Sequence, residues 1–181
     1  MRKAALLLLA LCFLSGNADA IPVVWQLNGV TFADGGTASG SFVYDSSTNT
    51  YSSVNITTTP GTVLATGATF LFVSPGVSPT SSGFLAGASN VPNLTGTRAF
   101  ALFFASPLSS NGGLVNLSSG LEASCANATC GSPAAPSRST NAGSVNGTAT
   151  SPIPTLSAWA LLATGLLLAA AGFAALRRGV F

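Results

Sequence analysis

Val23-Val24-Trp25-Gln26-Leu27-Asn28-Gly29-Val30-Thr31-Phe32, then Ala33-Asp34-Gly35-Gly36, then Thr37-Ala38-Ser39-Gly40-Ser41-Phe42-Val43-Tyr44 is the stretch on which the fold class turns. Val23, Trp25 and Leu27 alternate with other residues, so they share one face of an extended strand. Val30 and Phe32 carry the opposite parity, which places a bulge or face switch at Gly29. Asp34-Gly35-Gly36 is a hairpin turn signal. Beyond it Ala38, Gly40, Phe42 and Tyr44 line one face of a second strand. Two strands joined by a tight turn make a hairpin, and a hairpin needs further strands to bury its apolar face.

The following residues supply them. Asp45-Ser46-Ser47-Thr48-Asn49 is a turn whose side-chain oxygens can accept from nearby backbone N–H groups. Tyr51 to Thr59 reads as a third strand, closed by Pro60-Gly61. Thr62 to Ser74 ends in an apolar run that suits a buried strand. Gly83 to Gly87 reads ambiguously. Arg98 to Phe104 and Leu114 to Ala123 are further strands, and a last one is expected from Arg138 to Thr148. No helical periodicity precedes Leu156. The expected fold is all-β: a small β-sandwich of about seven or eight strands over residues 21–148.

Composition excludes several function classes. Ser and Thr supply 40 of residues 21–155, and that stretch has neither His nor Lys. Its charged residues are Asp34, Asp45, Arg98, Glu122 and Arg138. Such a chain has no electrostatic footprint for nucleic acid. Ser-His-Asp, Cys-His and Ser-Lys chemistry lack their base. Paired carboxylates remain formally available, but Asp34 and Asp45 sit in turns, where Asp is an ordinary structural residue. Arg98 and Arg138 are expected to be solvated or paired with a carboxylate. No catalytic residue, cofactor or metal site is therefore expected. Cys125 and Cys130 are expected to form a disulfide closing a small loop in an oxidising compartment. A metal would need further ligands, and a redox pair would want CxxC spacing. Five Asn-x-Ser/Thr sequons begin at Asn55, Asn93, Asn116, Asn127 and Asn146.

The two ends read as addresses. Arg2-Lys3, an apolar stretch from Ala4 to Leu14, and Ala18-Asp19-Ala20 have the layout of a signal peptide over residues 1–20, with cleavage expected after Ala20. At the other end Leu156 to Leu176 is 21 residues without a charge. At ~1.5 Å per residue it reaches ~32 Å, enough for a hydrocarbon core. Trp159 suits the outer interface, and Arg177-Arg178 mark the cytoplasmic side. Residues 149–155 form a short stalk stiffened by Pro152 and Pro154. Residues 177–181 form a basic cytoplasmic tail. A glycolipid-anchor signal usually ends in the apolar run itself, and here the paired Arg follows it.

The segment Ile153-Pro154-Thr155-Leu156-Ser157-Ala158-Trp159, with the span and Arg177-Arg178 behind it, resembles the IPTL-CTERM protein-sorting signal of Gram-negative bacteria, a relative of the PEP-CTERM signal. Ala160 stands where that family commonly has Gly. The resemblance implies recognition by an exosortase-type membrane protease, which processes the tail and passes the protein toward the cell surface or matrix. The opening Val30 to Asp45 and the segment Asn49 to Ile56 also resemble uncharacterised secreted proteins with such tails. That likeness implies a small β domain without a transferable binding residue.

The function expected is that of an exported, surface-sorted, non-enzymatic protein. Its partners would be the processing protease, membrane lipid through one span, and extracellular polysaccharide against a hydroxyl-rich face. The rival is an unprocessed, membrane-anchored carbohydrate-binding module. It would need an exposed aromatic platform built from Trp25, Tyr44 and Tyr51, which otherwise serve as core or cross-strand packing.

Overall fold

The computed structural model describes residues 21–74 and 78–149, together with 163–167, 170, 173, 174 and 177 of the tail. The expected signal peptide, with Ala18 and Ala20, lies outside the described residues. So do Ile153, Pro154, Thr155, Leu156, Trp159 and Arg178 of the expected sorting motif, and most of the expected span. The described tail residues are helical. Among the described residues no helix is long and apolar enough to cross a membrane.

The domain is all-β. Its strands are β1 (Val23–Phe32), β2 (Thr37–Asp45), β3 (Thr50–Thr58), β4 (Ala68–Phe70), β5 (Phe72–Val73), β6 (Gly83–Gly87), β7 (Arg98–Phe104), β8 (Gly113–Cys125) and β9 (Pro133–Thr148). They form one antiparallel sheet in the order β4-β3-β2-β1-β9-β8-β7-β6-β5.

This corrects the expected sandwich of seven or eight strands. The two sheets are one sheet of nine strands, rolled until its edges nearly meet. The seam shows how. β4 pairs with β3 through Ile56–Phe70, and β5 pairs with β6 through Phe72–Gly87. Only Leu71 separates them, and its N–H donates to the Gly87 carbonyl at 3.2 Å. The stretch expected as one strand from Thr62 is thus a turn followed by a strand that changes partners midway. In doing so it joins the two edges of the sheet, and closure of this kind removes exposed edges. The ambiguous Gly83–Gly87 is a buried strand because it pairs on both sides.

Curvature comes from local irregularities. Gly29 has φ +61°, and the registers of β1 with both β2 and β9 shift around it. That is the bulge expected from the parity change: Val23 and Trp25 face inward before it, Val30 and Phe32 after it. Gly143 in β9, at φ +145°, lies against Val30, where a Cβ would clash. The long β8 and β9, of 13 and 16 residues, carry the roll from one half of the sheet to the other.

The rolled sheet encloses one main core. Phe42 on β2 meets Phe84 at 4.9 Å and Phe104 at 5.9 Å between ring centroids. Tyr51 stacks on Phe84 at 4.3 Å. Near the other end Phe32 and Phe70 both pack on Phe100. These contacts cross the interior, so the two halves of the sheet are stabilised by apolar burial as well as by the ladder. A smaller cluster of Leu85, Leu94, Ala99 and Cys125 sits beneath the disulfide loop.

Candidate functional site

Four of the five charged residues in the domain gather at one end of the roll. Asp34 is in the β1–β2 turn, Glu122 in β8, Arg138 in β9 and Arg98 at the start of β7. Glu122 is fully buried, and Arg138 is 2% exposed. The Arg138 guanidinium donates from Nε and Nη2 to Glu122 Oε2, at 2.9 and 2.7 Å, and from Nη2 to the Thr59 carbonyl at 2.8 Å. Its Nη1 reaches both Asp34 oxygens, at 3.4 and 3.3 Å. One face of the guanidinium lies 4.1 Å from the Phe32 ring centroid. The other Glu122 oxygen accepts from Arg98 Nη2 and from Thr58 Oγ1, the latter at 3.1 Å. Two acids and two bases cancel, so the interior carries no net charge. Each buried charge has at least one hydrogen-bonded partner, as burial demands, though the Arg98 Nε is buried without one among the described residues.

Asp34 joins this network to two turns. Its Oδ1 accepts from the Gly36 N–H, and its Oδ2 from the N–H groups of Val63 and Leu64. Burial alone would raise its pKa. The backbone donors of Gly36, Leu64 and Val63, together with the Arg138 guanidinium, outweigh that and hold the carboxyl below its usual value. Two glycines make the space: a Cβ on Gly36 would strike the Arg138 guanidinium, and one on Gly61 the Asp34 carboxylate.

In this arrangement both carboxylates are clamped by arginine. Its effect is architectural: one cluster ties the β1–β2 turn, the 59–64 turn, β7, β8 and β9 together. The expectation that Arg98 and Arg138 are solvated or paired resolves as paired, and the pairing is buried. That Asp34 and Glu122 belong to the same cluster was not expected. A signal for it existed. Arg98 has the parity of Phe100, Leu102 and Phe104, so it points inward, and an inward charge needs a partner.

Trp25, Tyr44 and Tyr51 are buried, at 0%, 2% and 7% exposure, so they offer no exposed platform for a sugar ring. Tyr44 donates to Asn49 Oδ1 at 2.8 Å and Tyr51 to the Thr80 carbonyl at 2.6 Å. Burial, with Tyr44 nearby, pushes the Tyr51 phenol well above its usual pKa. The outward face of β2, β3 and β4 is instead polar. Ser39 pairs with Thr57, and Thr57 with Thr69. The Asn residues of all five sequons are exposed.

Cys125 and Cys130 are disulfide-bonded, with Cα atoms 4.6 Å apart. Their loop anchors its neighbour: the Leu94 N–H donates to the Ala128 carbonyl and the Gly96 N–H to that of Cys125. At the tail, the Arg177 guanidinium lies 5.1 Å from the Phe173 ring centroid.

No curated protein and no solved structure matches the chain. Residues 151–178 match the IPTL-CTERM motif. That segment contains Ile153, Pro154, Thr155, Leu156, Trp159, Arg177 and Arg178, the residues on which the resemblance was drawn. A sorting signal is a feature of cargo and not a catalytic element, and the match over residues 151–178 gives this chain a C-terminal IPTL-CTERM motif, which suggests the sorting signal of an exported protein.

Proposed function

We propose that this chain is a non-enzymatic cargo protein whose rolled β domain is exported, held briefly at the membrane by its tail, and sorted to the cell surface or matrix. The match of residues 151–178 to the IPTL-CTERM motif carries this reading. In it, residues 1–20 are a leader removed after Ala20. Leu156–Leu176 spans the inner membrane, with Arg177 and Arg178 on the cytoplasmic side. An exosortase-type protease processes the tail near Ile153-Pro154-Thr155-Leu156. Pro154 lacks a backbone donor and keeps Ile153 out of helix, so the motif meets the enzyme as extended chain. The anchor replaces a diffusional search with a tethered encounter.

The β domain is then the delivered part. Its polar outer face, with Ser39, Asn55, Thr57 and Thr69 side by side, supports contact with extracellular polysaccharide through hydroxyl and amide hydrogen bonds. The disulfide supports export to an oxidising compartment.

A two-tag immunoblot in the native host tests the processing step. One tag is inserted near Ser78 and the other follows Phe181. The expected result is loss of the second tag from a species found outside the inner membrane. Both tags on one inner-membrane species would mean a plain anchor and would end the sorting reading.

A further inference from the structure

The outer face of β6, β7 and β8 departs from the polar outer face of β2, β3 and β4. Leu85 pairs with Ala101, Ala101 with Leu121, and Ala99 with Ala123. Directly opposed residues share a face, and alternation sends their neighbours Phe84, Phe100, Leu102 and Glu122 to the interior. The outward set is therefore apolar. Leu94, Cys125 and Cys130 pack over part of it, against Leu85, Ala99 and Ala101.

Where that cover ends, a half-open cleft of about 170 Å³ remains. The small side chains of Ala99, Ala101 and Ala123 leave its floor low. Pro133 faces Cys125, two residues beyond Ala123, so Pro133 and Cys130 bound one end. Phe103, two residues beyond Ala101 in the other direction and 43% exposed, bounds the opposite end. No charged side chain lines the cleft among the described residues, and Ser124 is the one polar residue there. Arg98 and Glu122, its charged neighbours along the chain, are paired with each other. The covering segments are pinned by the Cys125–Cys130 disulfide, by the Leu94 N–H to the Ala128 carbonyl, and by the Cys125 N–H to the Thr97 carbonyl. A site with fixed walls spends little free energy on ordering when a ligand enters.

We propose that this cleft binds an uncharged small molecule through one apolar group the size of a single aromatic ring. An apolar cavity of about 150 Å³ takes up benzene, so the volume matches one ring. A charged group would lose its water without meeting an opposite charge. The Ser124 hydroxyl can meet one hydroxyl or carbonyl on the ligand. The site lies wholly within the β domain and does not depend on how the tail is processed.

The test follows the methyl NMR signals of the full chain in detergent, with labelled Ala, Leu, Ile and Val. Toluene is supplied at fixed vapour pressure, which sets its activity whatever the detergent absorbs. Saturable shifts are expected at Leu85, Ala99, Ala101, Leu121 and Ala123, with Val23, Ile56 and Val145 of the main core unmoved. Benzoate, of the same ring size but charged, should leave all of them in place. Ala101→Leu fills the floor and should abolish the toluene response; if that variant is unfolded by circular dichroism, Ala123→Val narrows the same floor. Absent or non-saturating shifts, an equal response to benzoate, or a response that survives the filled floor would overturn the proposal. Shifts of the Leu85 and Ala101 methyls on dilution alone would place a second copy of the chain in the cleft and overturn it too.

Discussion

Replacing Glu122 by Gln changes one atom's chemistry at the centre of the buried cluster and almost nothing of its shape. The carboxylate now accepts four hydrogen bonds: two from Arg138 on one oxygen, and those of Arg98 and Thr58 on the other. A carboxamide has one accepting oxygen. Whichever way it turns, its NH2 faces guanidinium or hydroxyl donors, and two arginines are left with one buried anion, Asp34. Removing one partner of a fully buried ion pair costs ~3–5 kcal/mol. A domain of roughly 130 residues has ~7–20 kcal/mol of stability in all. Glu122→Gln should therefore still fold, with Tm lower by ~10–20 °C, at roughly 3–4 °C per kcal/mol. Urea melts followed by tryptophan fluorescence should show a lower midpoint with an unchanged slope. The double variant Glu122→Leu/Arg138→Leu supplies the cross-check. It leaves Asp34 held by three backbone N–H groups and leaves Arg98, already partly exposed, free to turn to solvent. Its cost should fall short of the sum of the two single Leu variants by ~2 kcal/mol or more, because each single change strands a buried charge. A Glu122→Gln cost below ~1 kcal/mol, or strict additivity in the double variant, would refute the view that these charges stabilise the fold as one coupled unit.

Three further outcomes follow from the same geometry. The depressed Asp34 carboxyl contributes stability that is present above its unfolded value near 4 and is lost as pH falls through its lower folded value, because there the unfolded chain binds the extra proton. Tm measured from pH 6 to pH 2 should fall in the acid range for the native chain, and Asp34→Asn should flatten that fall; an identical slope in the two would count against the assignment. Gly61→Ala should cost ~1–3 kcal/mol by pressing a methyl into a carboxylate that its hydrogen bonds hold in place, and a thermal melt equal to the parent would show that the 61–64 turn yields freely. Reducing Cys125–Cys130 opens a short loop, worth ~2 kcal/mol by chain entropy. The reduced domain should stay folded by circular dichroism with a modestly lower Tm, and complete unfolding would mean that the loop holds more of the structure than its length implies.

Much was legible in the residues themselves. Alternation located β1 and β2 within a few residues, since a half-buried strand must put one parity inward, and apolar stretches bounded by turn signals located β3, β7 and β8. The parity change at Gly29 foretold the bulge. Cysteine count and compartment foretold the disulfide, and the tail motif was readable because it is a linear signal. Other features were not legible. Thr62–Ser74 looked like one strand because its apolar run says nothing about a change of partner at Leu71. β9 begins at Pro133, upstream of the expected Arg138, because the disulfide loop returns the chain against Cys125.

The sequence by itself determined the all-β class, the strand periodicity, the covalent loop and the sorting tail, because each depends on residues close together along the chain. The tertiary structure alone decided that the strands form one rolled sheet with its edges joined at Leu71. It also decided that Asp34 and Arg138, 104 residues apart, meet over Glu122. Closure and charge pairing are relations between distant segments, set by how bulges bend a sheet and by the cost of leaving an inward charge without a partner.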